Sequence, residues 1–328
     1  IKLVDGTTAK AWFPQVYARA QVGDLKGDGS LISANQVNIK VSGDVLNSAT
    51  IAGREVVNIS ANNINQLNGR IESNQLALKT QKDLNNIGGT ISAKTSATLD
   101  IGGDFNHRST TYDAQNIEGE NAFIRQGIDR KAALYVGSPL NVNSTNTEHL
   151  TTTLTIRVGG DAHLDAADVS NNNGKTQRQA AGNLSLNAVK NRQLDQSVNN
   201  ADNYHKREEV RDIGSSITGL GNVNLNANQI SGKAVNIESK TGDLALVAQN
   251  GITLENGESR TSVDQGLSIK TKALIGSKTE KTKEQWNTSE SIANQLKAGG
   301  NIILDTQQGD ITATHLKAQA GENIQIHA

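Results

Sequence analysis

The sequence predicts an all-β chain built as a parallel β-helix, a solenoid of coils about 20 residues long with loop or β-hairpin arms projecting from it. Three observations carry this. An isoleucine recurs at positions 32, 51, 71 and 91, a period too long for a hairpin and too short for a pair of helices. Each is followed by a short run alternating aliphatic and polar residues, the mark of strands with one face buried. Finally, aromatic residues make up 3% of the 328, with no Met and no Cys, so the core must be assembled from Val, Ile, Leu and Ala in thin, regular layers.

The tetrads Leu31-Ile32-Ser33-Ala34, Thr50-Ile51-Ala52-Gly53, Arg70-Ile71-Glu72-Ser73 and Thr90-Ile91-Ser92-Ala93 open the first coils. Val37-Asn38-Ile39, Val57-Asn58-Ile59, Leu76-Ala77-Leu78 and Leu99-Asp100-Ile101 continue them. The later half repeats a second phrase, Gly, usually Asn or Asp, then alternating aliphatics: Gly182-Asn183-Leu184, Gly221-Asn222-Val223, Gly242-Asp243-Leu244, Gly300-Asn301-Ile302 and Gly321-Glu322-Asn323-Ile324. Gly beside Asn or Asp reads as a corner with positive φ. Asn, Ser, Thr and Lys read as facing outward. Such coils stack about 4.8 Å apart, and about a dozen fit the chain once its breaks are set aside. No single coil buries enough to offset its own ordering entropy, so stability must come from stacking. The alternative is an antiparallel β-sandwich, whose strands seldom return at so even a period.

Residues 1–28 read as an incomplete or irregular leading segment, 29–106 as coils, 107–157 as an irregular insertion, and 158–328 as coils with arms at about 187–215 and 257–298. The insertion carries Arg108, Arg125, Arg130 and Lys131 and a polar run from Asn141 to Thr155. The second break holds Tyr204-His205-Lys206-Arg207-Glu208-Glu209, and the third is rich in Lys, Glu, Thr and Ser around Trp286. All three read as excursions from the shaft, with disordered linkers as the competing reading. Tyr204 and Trp286 are the candidate contact residues, because aromatics carried into projecting polar segments are common binding anchors. Tyr112 and Phe123 belong to the same class. Local packing of an arm against the shaft is the plainer role for all four.

Composition and motifs exclude much else. The 32 basic and 33 acidic residues cancel to a net charge of -1 at a mean hydropathy of -0.48, which argues against a polyanion surface and against charged disorder, so no nucleic-acid partner is expected. Without cysteine there is no disulfide, redox pair or thiolate zinc site. No apolar run approaches the roughly 18 residues of a membrane span. The histidines at 107, 149, 163, 205, 315 and 327 never fall at i, i+4 and read as surface residues rather than metal ligands. Gly174-Lys175-Thr176 resembles a phosphate-loop tail, but Val169 stands where that loop needs Gly. Gly-Gly-Asp at 102–104 and 159–161 reads as ordinary turns, since the nonapeptide period of calcium-binding turns is missing. The sequons at Asn58, Asn143, Asn183 and Asn287 suit an Asn/Ser/Thr-rich chain and are assigned no sugar. No cofactor, metal or catalytic residue is nominated. The rival class is a β-helical carbohydrate-active enzyme, a polysaccharide lyase or hydrolase. It needs acids, bases and aromatic platforms converging on one facet, where the regular coils offer mostly Asn, Ser, Thr and Lys.

The Gly-Asn/Asp-aliphatic phrases, the segment Ile128-Asp129-Arg130-Lys131-Ala132-Ala133-Leu134-Tyr135-Val136 before Val158-Gly159-Gly160-Asp161, and the break after Asn187 that resolves into Asp212-Ile213-Gly214-Ser215-Ser216-Ile217 together resemble the haemagglutinin repeats of filamentous-haemagglutinin-like exoproteins. Contact-dependent growth inhibition effectors are among these. Leu254-Glu255-Asn256-Gly257-Glu258-Ser259 with Val263-Asp264 sits where that family leaves the helix for a Lys/Thr-rich arm. The resemblance runs from about Gly29 to the end as repeat grammar and order. It implies a right-handed β-helical filament, secreted across the outer membrane of a Gram-negative bacterium by a partner transporter and displayed at the cell surface. Such filaments meet a target-cell receptor or membrane as adhesins or as stalks delivering a C-terminal toxin. No secretion domain and no Val-Glu-Asn-Asn marker occurs here, so the chain reads as an internal repeat block nearer the toxin-proximal region.

Overall fold

The computed structural model describes residues 31–137, 152–272 and 274–328. The leading segment 1–28, His149, the sequon Asn143 and most of the polar run from Asn141 lie outside them. Each turn of the described chain lays down strands on three facets, and equivalent strands stack in parallel register. Three long strands, Thr50–Ala61, Arg70–Thr80 and Thr90–Ile101, each serve two facets, bending at the register shifts between Gly53 and Val56 and between Ser73 and Gln75. Later coils split that duty: Ala133–Val136 pairs with Thr90–Ala93, while Thr153–Val158 pairs with Ser96–Ile101. The third facet is a nine-stranded parallel sheet running from Val45–Asn47 to Ile311–Ala313. The chain is therefore the parallel β-helix its repeats predict. Nine third-facet strands lie among the described residues, fewer than the dozen coils the repeat period predicts.

In-register stacking turns each inward position into a column. On the first facet Ile51, Ile71, Ile91, Leu134, Val169, Ile217, Ile237 and Leu296 sit directly over one another, each at most 3% exposed. Leu134 and Val136 show that the irregular insertion contains a rung of the shaft. Their strand is only four residues long, too short for its alternation to stand out in the sequence.

The corners work differently from the sequence reading. The glycines of the Gly-Asn/Asp phrases do not have positive φ. A Cβ on Gly103, Gly160 or Gly182 would instead collide with the side-chain oxygen of Asp83, Asp104 or Asp161 in the coil beneath. Those oxygens accept the next coil's backbone N–H: Asp83 from Asp104 at 2.9 Å, Asp104 from Asp161 at 2.9 Å and Asp161 from Asn183 at 2.7 Å. A second ladder of this kind, Asn222, Asp243, Asn301 and Asn323, climbs the corner entering the second facet instead of the third. One sequence phrase thus serves two corners. Gly159→Ala, whose added methyl would run into the rigid carbonyl of Gly102, is expected to lower unfolding free energy by about 2–3 kcal/mol. Gly43→Ala, with open space around it, is not expected to destabilise. Chemical denaturation of the two variants measures the contrast.

The core also holds polar groups that the sequence places outside. Asn47, Gln66, Asn86 and His107 form an inward column on the third facet, all at most 5% exposed. The Asn47 amide donates to Gln66 Oε1 at 2.6 Å, and the Gln66 amide donates to the Thr90 carbonyl at 3.0 Å. His107 is thus not a surface histidine. It stands two residues beyond the buried Phe105, where strand alternation points it inward.

Candidate contact surface

After the third facet the chain must turn a corner into the first, and it does so in two ways. From Ile64–Leu67 onward each tight turn is made by a left-handed residue: Asn68 at φ 57, Gly88 at 60, Ala166 at 46, Ala234 at 53 and His315 at 46. Otherwise it leaves the shaft as a β-hairpin. From the fourth third-facet strand onward the two alternate: Phe105–Arg108, Leu184–Asn187 and Ile252–Glu255 lead into hairpins, while Ala162–Asp165, Ile230–Lys233 and Ile311–Ala313 lead into tight corners. The spacing has a physical cause. A hairpin is two strands wide, about 9.6 Å, which equals two coil steps of about 4.8 Å. Arms on alternate coils therefore meet edge to edge.

They form one six-stranded antiparallel sheet, ordered Ser277–Ile292, Gly257–Lys272, Asn203–Ile213, Val189–Asn200, Ala122–Ile128 and Thr111–Asn116. Three separate breaks in the sequence are one surface in space. Its base is pinned to the shaft. The Ser109 hydroxyl donates to the Ala166 carbonyl at 2.7 Å, and the Ser215 hydroxyl to the Leu164 carbonyl at 2.9 Å. The buried Asp212 carboxylate takes the Lys233 ammonium at 2.9 Å and the Glu258 N–H at 3.0 Å. That pairing holds Lys233 above the usual lysine range and ties the second arm to the third through the coil between them.

The two candidate aromatics both lie on this sheet, on opposite faces. Tyr204 is paired with Gly266, and Gly266 with Lys283; Trp286 is three residues on, and an odd step along a strand reverses the face. The Tyr204 hydroxyl donates to Asp264 at 2.9 Å, its ring covers Gly266, where a Cβ would touch it at 2.6 Å, and Lys283 Nζ stands 5.9 Å from the ring centroid. Tyr204 thus braces the second arm against the third. Trp286 is 47% exposed and ends a cross-sheet row through Val263, Arg207 and Asp195 to Phe123. Tyr112, Leu267 and Ile269 share its face by register and are also exposed. The third arm overshoots its neighbour beyond Gly266. At that tip Leu274 and Ile275 are 106% and 94% exposed, and residues 267–283 hold five lysines against one glutamate.

A stretch of 146 residues, 43% of this chain, is 34% identical to a protein of Enterobacter cloacae subsp. cloacae described as 16S rRNA endonuclease CdiA. Over that stretch the chain is similar to a contact-dependent growth inhibition exoprotein. The match spans 4% of that relative's length, so the nuclease named in its description is a property of that much longer protein. No family model matches the chain, and no solved structure does.

No group of three or more His, Asp or Glu able to hold a metal ion occurs among the described residues. Charges pair across strands, as where Arg192 meets Glu208 at 2.8 Å and Arg125 meets Asp195. Sequence reasoning missed Leu267, Ile269, Leu274 and Ile275. Their signal was present as an aliphatic cluster inside a Lys/Thr-rich stretch, but isolated aliphatics in a polar arm carry no information about which face they share.

Proposed function

We propose that this chain is a stalk segment of a secreted bacterial surface filament, and that its arm sheet is where the stalk meets another cell's receptor or membrane. The carrying observation is the fusion of three arms into one sheet with Trp286, Phe123, Tyr112 and the third-arm tip exposed. A shaft of stacked coils presents much the same surface at every level, which is poor at specifying a partner, whereas the arms are its one large irregularity among the described residues. The relationship to a contact-dependent growth inhibition exoprotein supports export through an outer-membrane partner transporter, display on a Gram-negative cell, and support for delivery of a C-terminal toxin carried elsewhere on the longer protein. The stalk reading includes no catalysis and no nucleic-acid partner. Two acids on the first facet, Glu72 and Asp168, are engaged by Arg70 at 3.4 Å and Lys131 at 2.7 Å, unlike a pair poised for general acid and base work.

Replacing residues 260–290 with a short Gly/Ser bridge tests the arm. The shaft is expected to keep its strand spectrum and most of its thermal stability, while binding to target cells falls at least tenfold. Trp286→Ala is expected to lose part of that binding with the sheet intact. Undiminished binding after the deletion leaves the arms as braces that protect the sheet edges from aggregation.

A further inference from the structure

We propose that the outer face of the first facet is a binding groove for an extended acidic polysaccharide. A depression of about 1230 Å³ runs along it. Its floor is one outward side chain per coil, Ala52, Glu72, Ser92, Tyr135, Ser170 and Thr218, stacked in register. Five steps of about 4.8 Å make it roughly 24 Å long, and that step is close to the advance of an extended pyranose chain per sugar.

The kind of ligand follows from what the groove offers. The backbone groups beneath it are spent in parallel ladders to the coils on either side, so a peptide strand cannot add to them. Recognition must come from side chains. Small hydroxyls at 92, 170 and 218 leave depth and suit sugar hydroxyls. Tyr135, 37% exposed at the centre, is the one aromatic in the lining and offers a ring face. Its phenol is pushed up by burial and by Asp168, so it stays a hydrogen-bond donor at neutral pH.

The charge follows from which groups are already paired. Glu72 and Asp168 are tied to Arg70 and Lys131. Arg54 and Lys94, two coils apart on the same rim, form no ion pair among the described residues; Arg54 Nε donates to the neutral Asn35 Oδ1 at 2.5 Å. The charge left free is therefore positive. Its two carriers stand two steps apart, which suits carboxylates carried along a linear chain.

Calorimetric titration of the full chain at low salt, with oligogalacturonate and with a cello-oligosaccharide of equal length, decides the matter. The acidic chain is expected to bind at least tenfold more tightly than the neutral one. Tyr135→Ala is expected to weaken binding at least tenfold and Tyr135→Phe less than threefold. Arg54→Ser with Lys94→Ser is expected to abolish the preference for the acidic chain. These side chains face outward, so an unchanged thermal midpoint confirms that the shaft is intact. No detectable binding of either sugar, an unchanged Kd in Tyr135→Ala, or a preference that survives the double substitution overturns the proposal. Binding is expected unchanged when residues 260–290 are deleted, which keeps this result separate from the role of the arms.

Discussion

Arg178→Met is expected to stabilise the protein by about 3 kcal/mol. Arg178 occupies an inward position between Ile156 below and Leu225 above, in a column that is otherwise aliphatic. It is 2% exposed, and its three guanidinium nitrogens have no hydrogen-bond partner among the described residues. The guanidinium ends 5.6 Å from the Phe105 ring centroid. A cation over an aromatic face gains roughly 1–2 kcal/mol. Burying an unpaired charge costs several, and burial accordingly pulls this guanidinium down to about 9. Desolvation wins, so methionine, which keeps much of the stem and drops the charge, raises stability. The check is a higher denaturant midpoint at unchanged slope. A loss of stability beyond 1 kcal/mol would mean that the guanidinium has a bound partner.

The second large effect is acid sensitivity traceable to His107. Its ring stacks on Phe105 at 5.4 Å, Nδ1 faces the Asn86 amide at 2.9 Å, and Nε2 faces the Asp168 carbonyl at 3.1 Å. The tautomer that satisfies both carries its proton on Nε2 and accepts at Nδ1. A second proton would point at an amide donor inside the shaft. Burial first, with the nearby Arg178 charge adding to it, lowers this imidazole from 6.5 to about 4. The folded state thus holds the proton less tightly than the unfolded chain. Its stability is complete above about pH 6.5 and falls as pH drops toward 4, by about 3 kcal/mol in all. His107→Gln removes that term, so the gap between the two proteins' unfolding free energies should change by this amount across the window. A constant gap would show that His107 does not titrate there.

What could be read in advance depended on whether a signal was local. The Ile ladder from 32 to 91 and its alternating runs announce stacked coils because every rung repeats the same short-range pattern, and the resemblance to haemagglutinin repeats rests on the same order. The glycine phrases were visible but their cause was not. Positive φ is a property of one residue, whereas a collision with Asp83 or Asp161 in the coil beneath is a property of two residues about 20 apart. The inward orientation of Asn86 and His107 was hidden for a related reason: polar residues usually mark the outer face, and only a partner in the adjacent coil lets them face inward.

By itself, then, the sequence determined that this chain is a β-solenoid of roughly 20-residue coils, free of disulfides, interrupted three times by polar segments holding Tyr204 and Trp286. Those properties are written in period and composition, which survive without knowing what touches what. Only the tertiary structure decided that the three interruptions are a single sheet, that Tyr204 braces it while Trp286 faces out from the other side, and that a groove runs along the first facet. Each of these depends on a match between lengths that no local stretch contains. An arm two strands wide equals two coil steps, so hairpins tens of residues apart in sequence become hydrogen-bonded neighbours in space.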